Sequence, residues 1–323
     1  MASSPRLLAV GRPTFADIMG RIAPVMVLAA LLAVFGALQP SFLSPYSLRV
    51  LTGESSVILV LAMGQTLVIL LGCIDLSMAA LASLVSVLLA LVLPVAGVPG
   101  LIAVLAFATF IGALQGYIHA RAQIPSFIVT LAGMGLLSGA ALVIGQTTII
   151  LQGGNEAVTW LSGRILGVPR AFAFAVALLL VLVAALRWLP FGRYIYAIGL
   201  GELAALLSGV KVARTKIAVF ALSGLCAGLA GMMLVARTQS GNPTIADSLL
   251  LPSIAAVVVG GSAITGGVGG LVRTLIGALT IGVLRVGTAV VGLDPAYEPI
   301  AYGILIAFAV ALTIDRTRTV IVK

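Results

Sequence analysis

Residues 57–93 read VILVLAMGQTLVILLGCIDLSMAALASLVSVLLALVL, thirty-seven positions with one formal charge, Asp75. A hydrocarbon core about 30 Å thick takes roughly 20 apolar residues of helix to cross. The stretch therefore holds two crossings, Val57 to Cys73 and Leu76 to Leu93, that meet at Asp75. Runs such as Val57 to Leu71 and Ala173 to Leu186 show no alternation of polar and apolar positions, which excludes a transmembrane β-barrel. The fold class is all-α, a polytopic transmembrane helical bundle.

The rest of the 323-residue chain repeats this pattern. It is 61% apolar and 8% charged, against about 25% charged in a soluble domain. Between Asp17 and Arg121 the only charges are Arg21, Arg49, Glu54 and Asp75. About ten spans follow from the apolar windows: Ile22 to Leu38, the two above, Leu101 to Tyr117, Ser126 to Ile144, Ala171 to Leu189, Ile217 to Ala236, Leu250 to Thr265, Thr274 to Val291 and Pro299 to Ile314. The first is too long for a signal-peptide core and no clear cleavage site follows it, so it reads as an uncleaved helix.

Orientation comes from the cations. Arg6, Arg12 and Arg21 precede the first span and put the N-terminus in the cytoplasm by the positive-inside rule. Ten crossings return the C-terminus there. On this topology thirteen of the eighteen cations, including Arg121, Arg187, Arg193, Lys211, Arg214, Lys216, Arg273, Arg316, Arg318 and Lys323, fall inside. Arg49, Arg164, Arg170 and Arg237 fall outside, and Arg285 lies within the ninth span. The net charge of +9 thus sets orientation, and nucleic acid is not an expected partner. The whole chain, 1–323, reads as a single membrane domain. Its two long connections are an outer one, Gly145 to Arg170, with Gly153, Gly154, Asn155 and Trp160, and a polar inner loop over 190–216 where function is to be sought first.

Several chemistries lack their residues. A single histidine, His119, supports neither a zinc site nor a Ser/His dyad. Cys73 and Cys226 lie in apolar stretches and suggest no disulfide or metal. Lys211, Lys216 and Lys323 lack a phosphate-loop context. The chain is expected to be no enzyme and to hold no metal or cofactor of its own. The glycines of 260–270 read as close packing and a helix break, and Gly224, Gly228 and Gly231 as a small packing face.

What remains is a handful of polar groups. Asp75, followed by Ser77, suits a helix cap or a translocation path. Arg285 should face the bundle, a subunit interface or a wet cavity, unless it snorkels. Gln65 and Thr66 line a path or join helices by hydrogen bonds. Thr130 completes the path candidates.

Gly64-Gln65-Thr66-Leu67-Val68-Ile69-Leu70 running into Ile74-Asp75-Leu76-Ser77 closely resembles the signature stretch of ABC-type sugar importer permeases of the ribose/galactose/arabinose branch. Ile124 to Leu131, Phe191-Gly192-Arg193, Tyr196 to Gly199, Ala204-Ala205, Leu207-Ser208-Gly209, Ile254 to Gly261, Gly277 to Leu279 and Ile281 to Leu284 match in order and spacing. The resemblance implies a permease dimer in the bacterial inner membrane. It also implies a periplasmic sugar-binding protein, a cytoplasmic ABC ATPase that carries the ATP, and a coupling helix made by Gly201, Glu202, Ala204, Ala205, Ser208 and Gly209. Glu202 to Leu207 is a short helix-compatible segment ended by Gly209. Where the family usually has Pro-Glu-Ala-Ala-Arg, this chain has Glu202-Leu203-Ala204-Ala205-Leu206, and Met78-Ala79 replace a common Val-Gly. The expected function is import of a monosaccharide or related polyol by alternating access. The alternative is an ion-coupled secondary transporter of a small polar solute, which would need buried coupling groups near mid-membrane.

Overall fold

The computed structural model describes residues 15–151 and 155–313, with side chains placed over 22–151 and 155–309. The expectations for Arg6, Arg12, the Arg21 side chain, Gly153, Gly154, Ile314, Arg316, Arg318 and Lys323 lie outside the described residues. Twelve helices are described: α1 (Phe15–Leu38), α2 (Pro45–Leu70), α3 (Met78–Ala122), α4 (Ser126–Gly145), α5 (Glu156–Thr159), α6 (Arg170–Trp188), α7 (Pro190–Leu200), α8 (Glu202–Leu207), α9 (Val212–Thr238), α10 (Leu250–Val259), α11 (Leu271–Val291) and α12 (Glu298–Thr313). Two-residue strands form two antiparallel pairs, β1 (Ile149–Ile150) with β4 (Ser240–Gly241) and β2 (Arg164–Ile165) with β3 (Val168–Pro169). Among the described residues, α2, α3, α4, α6, α9 and α11 are long and apolar enough to cross a membrane, while Ile22–Leu38 and Asp247–Val259 are shorter apolar helices.

Local chemistry sets where these helices begin and break. Ser44 caps α2 by accepting the Ser47 amide, and Pro45 occupies its first turn, where a missing N–H costs nothing. The helix thus begins well before the expected Val57 and ends at Leu70, short of Cys73. The 45-residue α3 would be about 68 Å long if straight, more than twice the hydrocarbon core. It does not run straight: Gly97, between Pro94 and Pro99, takes φ 52 and ψ −133 and divides it into two arms. These arms cover the residues of the expected third and fourth windows, Leu76 to Leu93 and Leu101 to Tyr117, apart from Leu76 and Ser77.

Small residues hold the centre together. In the second arm of α3, Ala108, Gly112 and Gly116 face Phe220, Gly224 and Gly228 of α9, so closely that a Cβ on Gly112 would enter the backbone of Phe220 and Gly224. Gly231 meets the first arm at Ala82. The expected small face on this helix is thus a packing face. Beside it, every residue of α2 from Ser55 to Leu70 is buried.

Two expectations are corrected. The window Leu250 to Thr265 is not one helix: α10 stops at Val259, giving about 15 Å of rise. Gly261, Gly266, Gly267 and Gly269 then take positive φ, a conformation that ends helices and favours glycine. The inner loop, 190–216, is also mostly helical, comprising α7, α8 and the first turn of α9. Pro190 starts α7, and Gly201, with extended φ of 176, separates α7 from α8. The long 145–170 connection is strapped down, with β1 paired to β4 beyond the end of α9 and Asn155 Nδ2 donating to Leu93 O at 2.8 Å.

Candidate functional site

The six residues of α8 are closed by a full C-terminal motif. The Val210 amide donates to Ala205 O at 3.1 Å and the Gly209 amide to Leu206 O at 3.0 Å, with Gly209 at φ 84. This arrangement satisfies the last carbonyls and needs a left-handed residue, which glycine supplies. Ala205 is buried and seats the helix, whereas Leu203, Leu206 and Leu207, with Leu200 just before them, are exposed. Glu202, in the first turn, receives Lys216 Nζ of α9 at 2.7 Å to each carboxylate oxygen. The Lys216 side chain is nearly enclosed, at 6% exposure, while that of Glu202 is half exposed.

Above α8, three backbone segments meet with no side chains between them. The Gly267 amide donates to Leu70 O at 2.9 Å, joining the end of α2 to the break between α10 and α11. A Cβ on Gly199 of α7 would collide with Leu70 O and the Gly267 backbone, and one on Gly266 would collide with Gly72. Tyr196 Oη donates to Gly269 O at 3.2 Å. One turn into the bundle, Thr66 and Thr274 place their hydroxyls 2.7 Å apart. The helix leading to α8, α7, is therefore in direct contact with both helix breaks.

The connection 71–77 carries Asp75 in a buried polar centre. Its Oδ1 accepts the Ser77 amide at 2.9 Å and lies 2.7 Å from Ser77 Oγ, and its Oδ2 accepts from Ser223 Oγ of α9 at 2.7 Å. Ser77 Oγ also lies 2.9 Å from Gln115 Oε1 of α3, so its single hydrogen serves one oxygen at a time. Ser77 occupies the cap position of α3, and Asp75 supplies the acceptor for its amide. Burial pushes the Asp75 carboxyl above its ordinary pKa, while the Ser223 and Ser77 hydrogen bonds pull it back down. Ser126 and Thr130 of α4 hold the same connection: Ile74 N–H donates to Ser126 Oγ at 3.1 Å, and Thr130 Oγ1 bonds Ser126 O at 2.9 Å and reaches Ile74 O at 3.3 Å.

A second charged group gathers at the other end of α9. Arg237 Nη1 lies 2.8 Å from Glu54 Oε1 of α2. Arg285 stands between Glu54 and Glu298 at 3.9 and 3.8 Å, and Tyr302 Oη donates to Glu298 at 2.9 Å. Arg285, Glu54, Asp247 and Glu298 line a cleft of about 740 Å³ between α2, α11 and α12.

The expected residues thus fall into separate places. Gly201, Glu202, Ala204, Ala205, Ser208 and Gly209 sit together in and beside α8. Asp75 and Ser77 share one buried centre with Thr130 close by. Arg285 stands apart in the cleft, and Thr66 bonds across to Thr274. Both amide atoms of Gln65 are buried without a hydrogen-bond partner among the described residues. Sequence reasoning passed over Lys216, Ser223, Gln115, Glu54 and Glu298 as site residues. Ser223 and Gln115 are isolated polar residues in apolar helices and carried that much signal. The exposed leucines of α8 carried none, since an apolar residue in an apolar chain marks nothing.

A family model described as "Branched-chain amino acid transport system / permease component" matches residues 47–310. The chain is similar to the ribose import permease protein of Bacillus subtilis strain 168, with 37% identity over 310 residues covering 94% of this chain and 95% of the relative. It is likewise similar to the ribose import permease protein of Escherichia coli K12, with 37% identity covering 88% and 91%. The fructose import permease protein of Rhizobium meliloti is 35% identical, covering 90% and 84%.

Proposed function

The chain belongs to the branched-chain amino acid transport system / permease component family, and from that premise we propose that it is the membrane-spanning subunit of an ATP-binding cassette importer for a monosaccharide or related polyol. The observation that carries the reading is α8, a six-residue helix closed at its C-terminus by the Gly209 motif, which offers three leucines to solvent while its first turn is ion-paired to a long spanning helix. A rigid apolar knob of this kind suits a groove on a separate motor protein. The glycine contacts behind it would carry motor closure directly to the helix breaks.

On this reading the chain makes ten crossings in the bacterial inner membrane, counting the two arms of α3 separately and letting α10 with its glycine-rich continuation serve as one. Both termini and α7–α8 face the cytoplasm, in line with the cation bias. A second permease copy completes the pore, lipid surrounds the apolar outer faces, and ATP is bound by the cytoplasmic ABC ATPase. A periplasmic sugar-binding protein delivers the cargo, so that the pore itself needs few strong ligands. Asp75, Ser77, Gln65, Thr66, Thr130 and Arg285 act in the moving parts of the path. Full-length similarity to sugar import permeases favours a sugar over the amino acids in the family description.

The test is reconstitution in proteoliposomes with its partner ATPase and binding protein, using labelled D-ribose and D-fructose as probes. Accumulation that requires ATP and persists when ionophores collapse the ion gradients supports the proposal. Accumulation driven by an ion gradient without the ATPase overturns it in favour of secondary transport.

A further inference from the structure

Glu202 and Lys216 are joined more tightly than any other ion pair between described residues, with one ammonium contacting both carboxylate oxygens at 2.7 Å. Lys216 is 5% exposed, and enclosure on this scale makes the loss of one partner costly for the other. The pair bridges α8 and α9, two elements separated by the turn at Gly209. Seven positions along α9 from Lys216, two helical turns and about 10 Å on the same face, stands Ser223. Its hydroxyl donates to Asp75 at 2.7 Å. Asp75 in turn accepts the Ser77 amide at the start of α3. Two polar ties thus sit on one face of α9, one to α8 at Lys216 and one into the connection between α2 and α3 at Ser223, with the buried Val219 and Phe220 of the same rigid helix between them. Cys73 lies in that connection, buried, with His119 Nε2 of α3 3.4 Å from its sulfur.

We propose that the Glu202–Lys216 pair is a strut that converts displacement of α8 into movement of α9, and through Ser223 and Asp75 into rearrangement of the 71–77 connection. This rests on the reading of α8 as the motor contact and adds the residues that would transmit its motion inward. Lys216 and Ser223 are positioning residues here, since neither needs to touch cargo or nucleotide.

The two native cysteines allow a direct test that requires no knowledge of the sugar. In a Cys226→Ser background, the assembled permease–ATPase complex is labelled with N-ethylmaleimide, nucleotide-free and trapped with ATP and vanadate. The labelling rate of Cys73 is expected to change about tenfold between the two states. Lys216→Gln should abolish that change while the ATPase still copurifies, Glu202→Gln should abolish it as well, and the exchanged pair Glu202→Lys with Lys216→Glu should restore it. Persistence of the change in both single variants overturns the strut, as does its absence in the background protein or failure of the exchanged pair to restore it. Leu203→Asp with Leu207→Asp separates the two levels of the argument. If these changes leave ATPase binding intact, the motor contact is not α8 and both inferences fall. If they release the ATPase, the contact stands and the glutamine variants judge the strut alone.

Discussion

Lys216 and Arg237 stand twenty-one positions apart on α9, about 31 Å along its axis, and each is paired with an acid from another helix, Glu202 at 2.7 Å and Glu54 at 2.8 Å. No charged residue lies between them. The interval matches a hydrocarbon core about 30 Å thick, so the ion pairs bracket the apolar length of the helix. The α9 helix is therefore tied at one end to the α8 segment and at the other to the cleft around Arg285.

The two alanines of α8 should respond differently to charge. Ala204 is exposed and Ala205 is buried beneath the helix. Ala204→Asp is expected to leave membrane levels near normal and lower both ATPase retention and uptake. Ala205→Asp buries an unpaired carboxylate, which costs several kcal/mol, and should reduce assembly itself. Pull-down of the ATPase alongside quantified membrane levels reads both; equal loss of assembly in the two variants would contradict the seating of α8.

Asp75 accepts from the Ser77 amide and the Ser223 hydroxyl, and alanine cannot replace it. Leaving that amide and that hydroxyl short of an acceptor costs about 1–3 kcal/mol, so Asp75→Ala should lower the Tm in detergent. Asp75→Asn keeps an acceptor oxygen and should lose less. Because burial raises the carboxyl pKa in the folded state, the proton-linked contribution is present below the unfolded carboxylate pKa and fades as pH rises through the folded value. The wild-type protein should therefore lose stability over that window and the asparagine variant should not, as melting curves across pH would reveal.

Glu54 holds Arg237 and stands within reach of Arg285. Glu54→Gln should lower stability by about 1 kcal/mol, the upper range for partly exposed pairs, and the difference from wild type should shrink at high salt. Arg285→Gln is expected to cut uptake more than it cuts stability, since it opens the cleft between α2, α11 and α12. Uptake that tracks stability in both variants would assign the group to architecture alone.

The close face of α3 and α9 has no room for a side chain at Gly112 or Gly224. Gly112→Leu or Gly224→Leu drives carbon atoms into the backbone of the facing helix, and overpacking of this kind costs about 1–3 kcal/mol or more. Membrane levels should fall sharply. Gly135→Leu, where nothing lies within reach of a Cβ, serves as the control and should be tolerated.

Much of this was legible in the chain itself. The breaks at Pro94–Gly100 and 260–270 announced themselves through proline and glycine, whose backbone properties act locally. The helical content of 190–216 was less legible, because charged and polar residues in a membrane protein signal the boundary of the bilayer before they signal irregular structure. Asp75 stood out because a lone acid among apolar residues is expensive to bury. Its donor Ser223 did not, since a serine can satisfy itself on its own helix.

The sequence by itself determined that the chain lives in a bilayer as helices, where its cations lie and, through its motifs, which family it joins. The first two follow from length, hydropathy and charge, the last from the resemblance of its motifs. Only the tertiary structure decided that Glu202 meets Lys216, that Ser223 reaches Asp75 and that Arg285 stands between Glu54 and Glu298. The reason is physical: in lipid the outward and inward faces of a helix are both apolar, so hydrophobic periodicity does not mark which side is buried. The rotation of each helix, and with it every long-range polar partner, is then fixed by the close packing of small residues across the bundle.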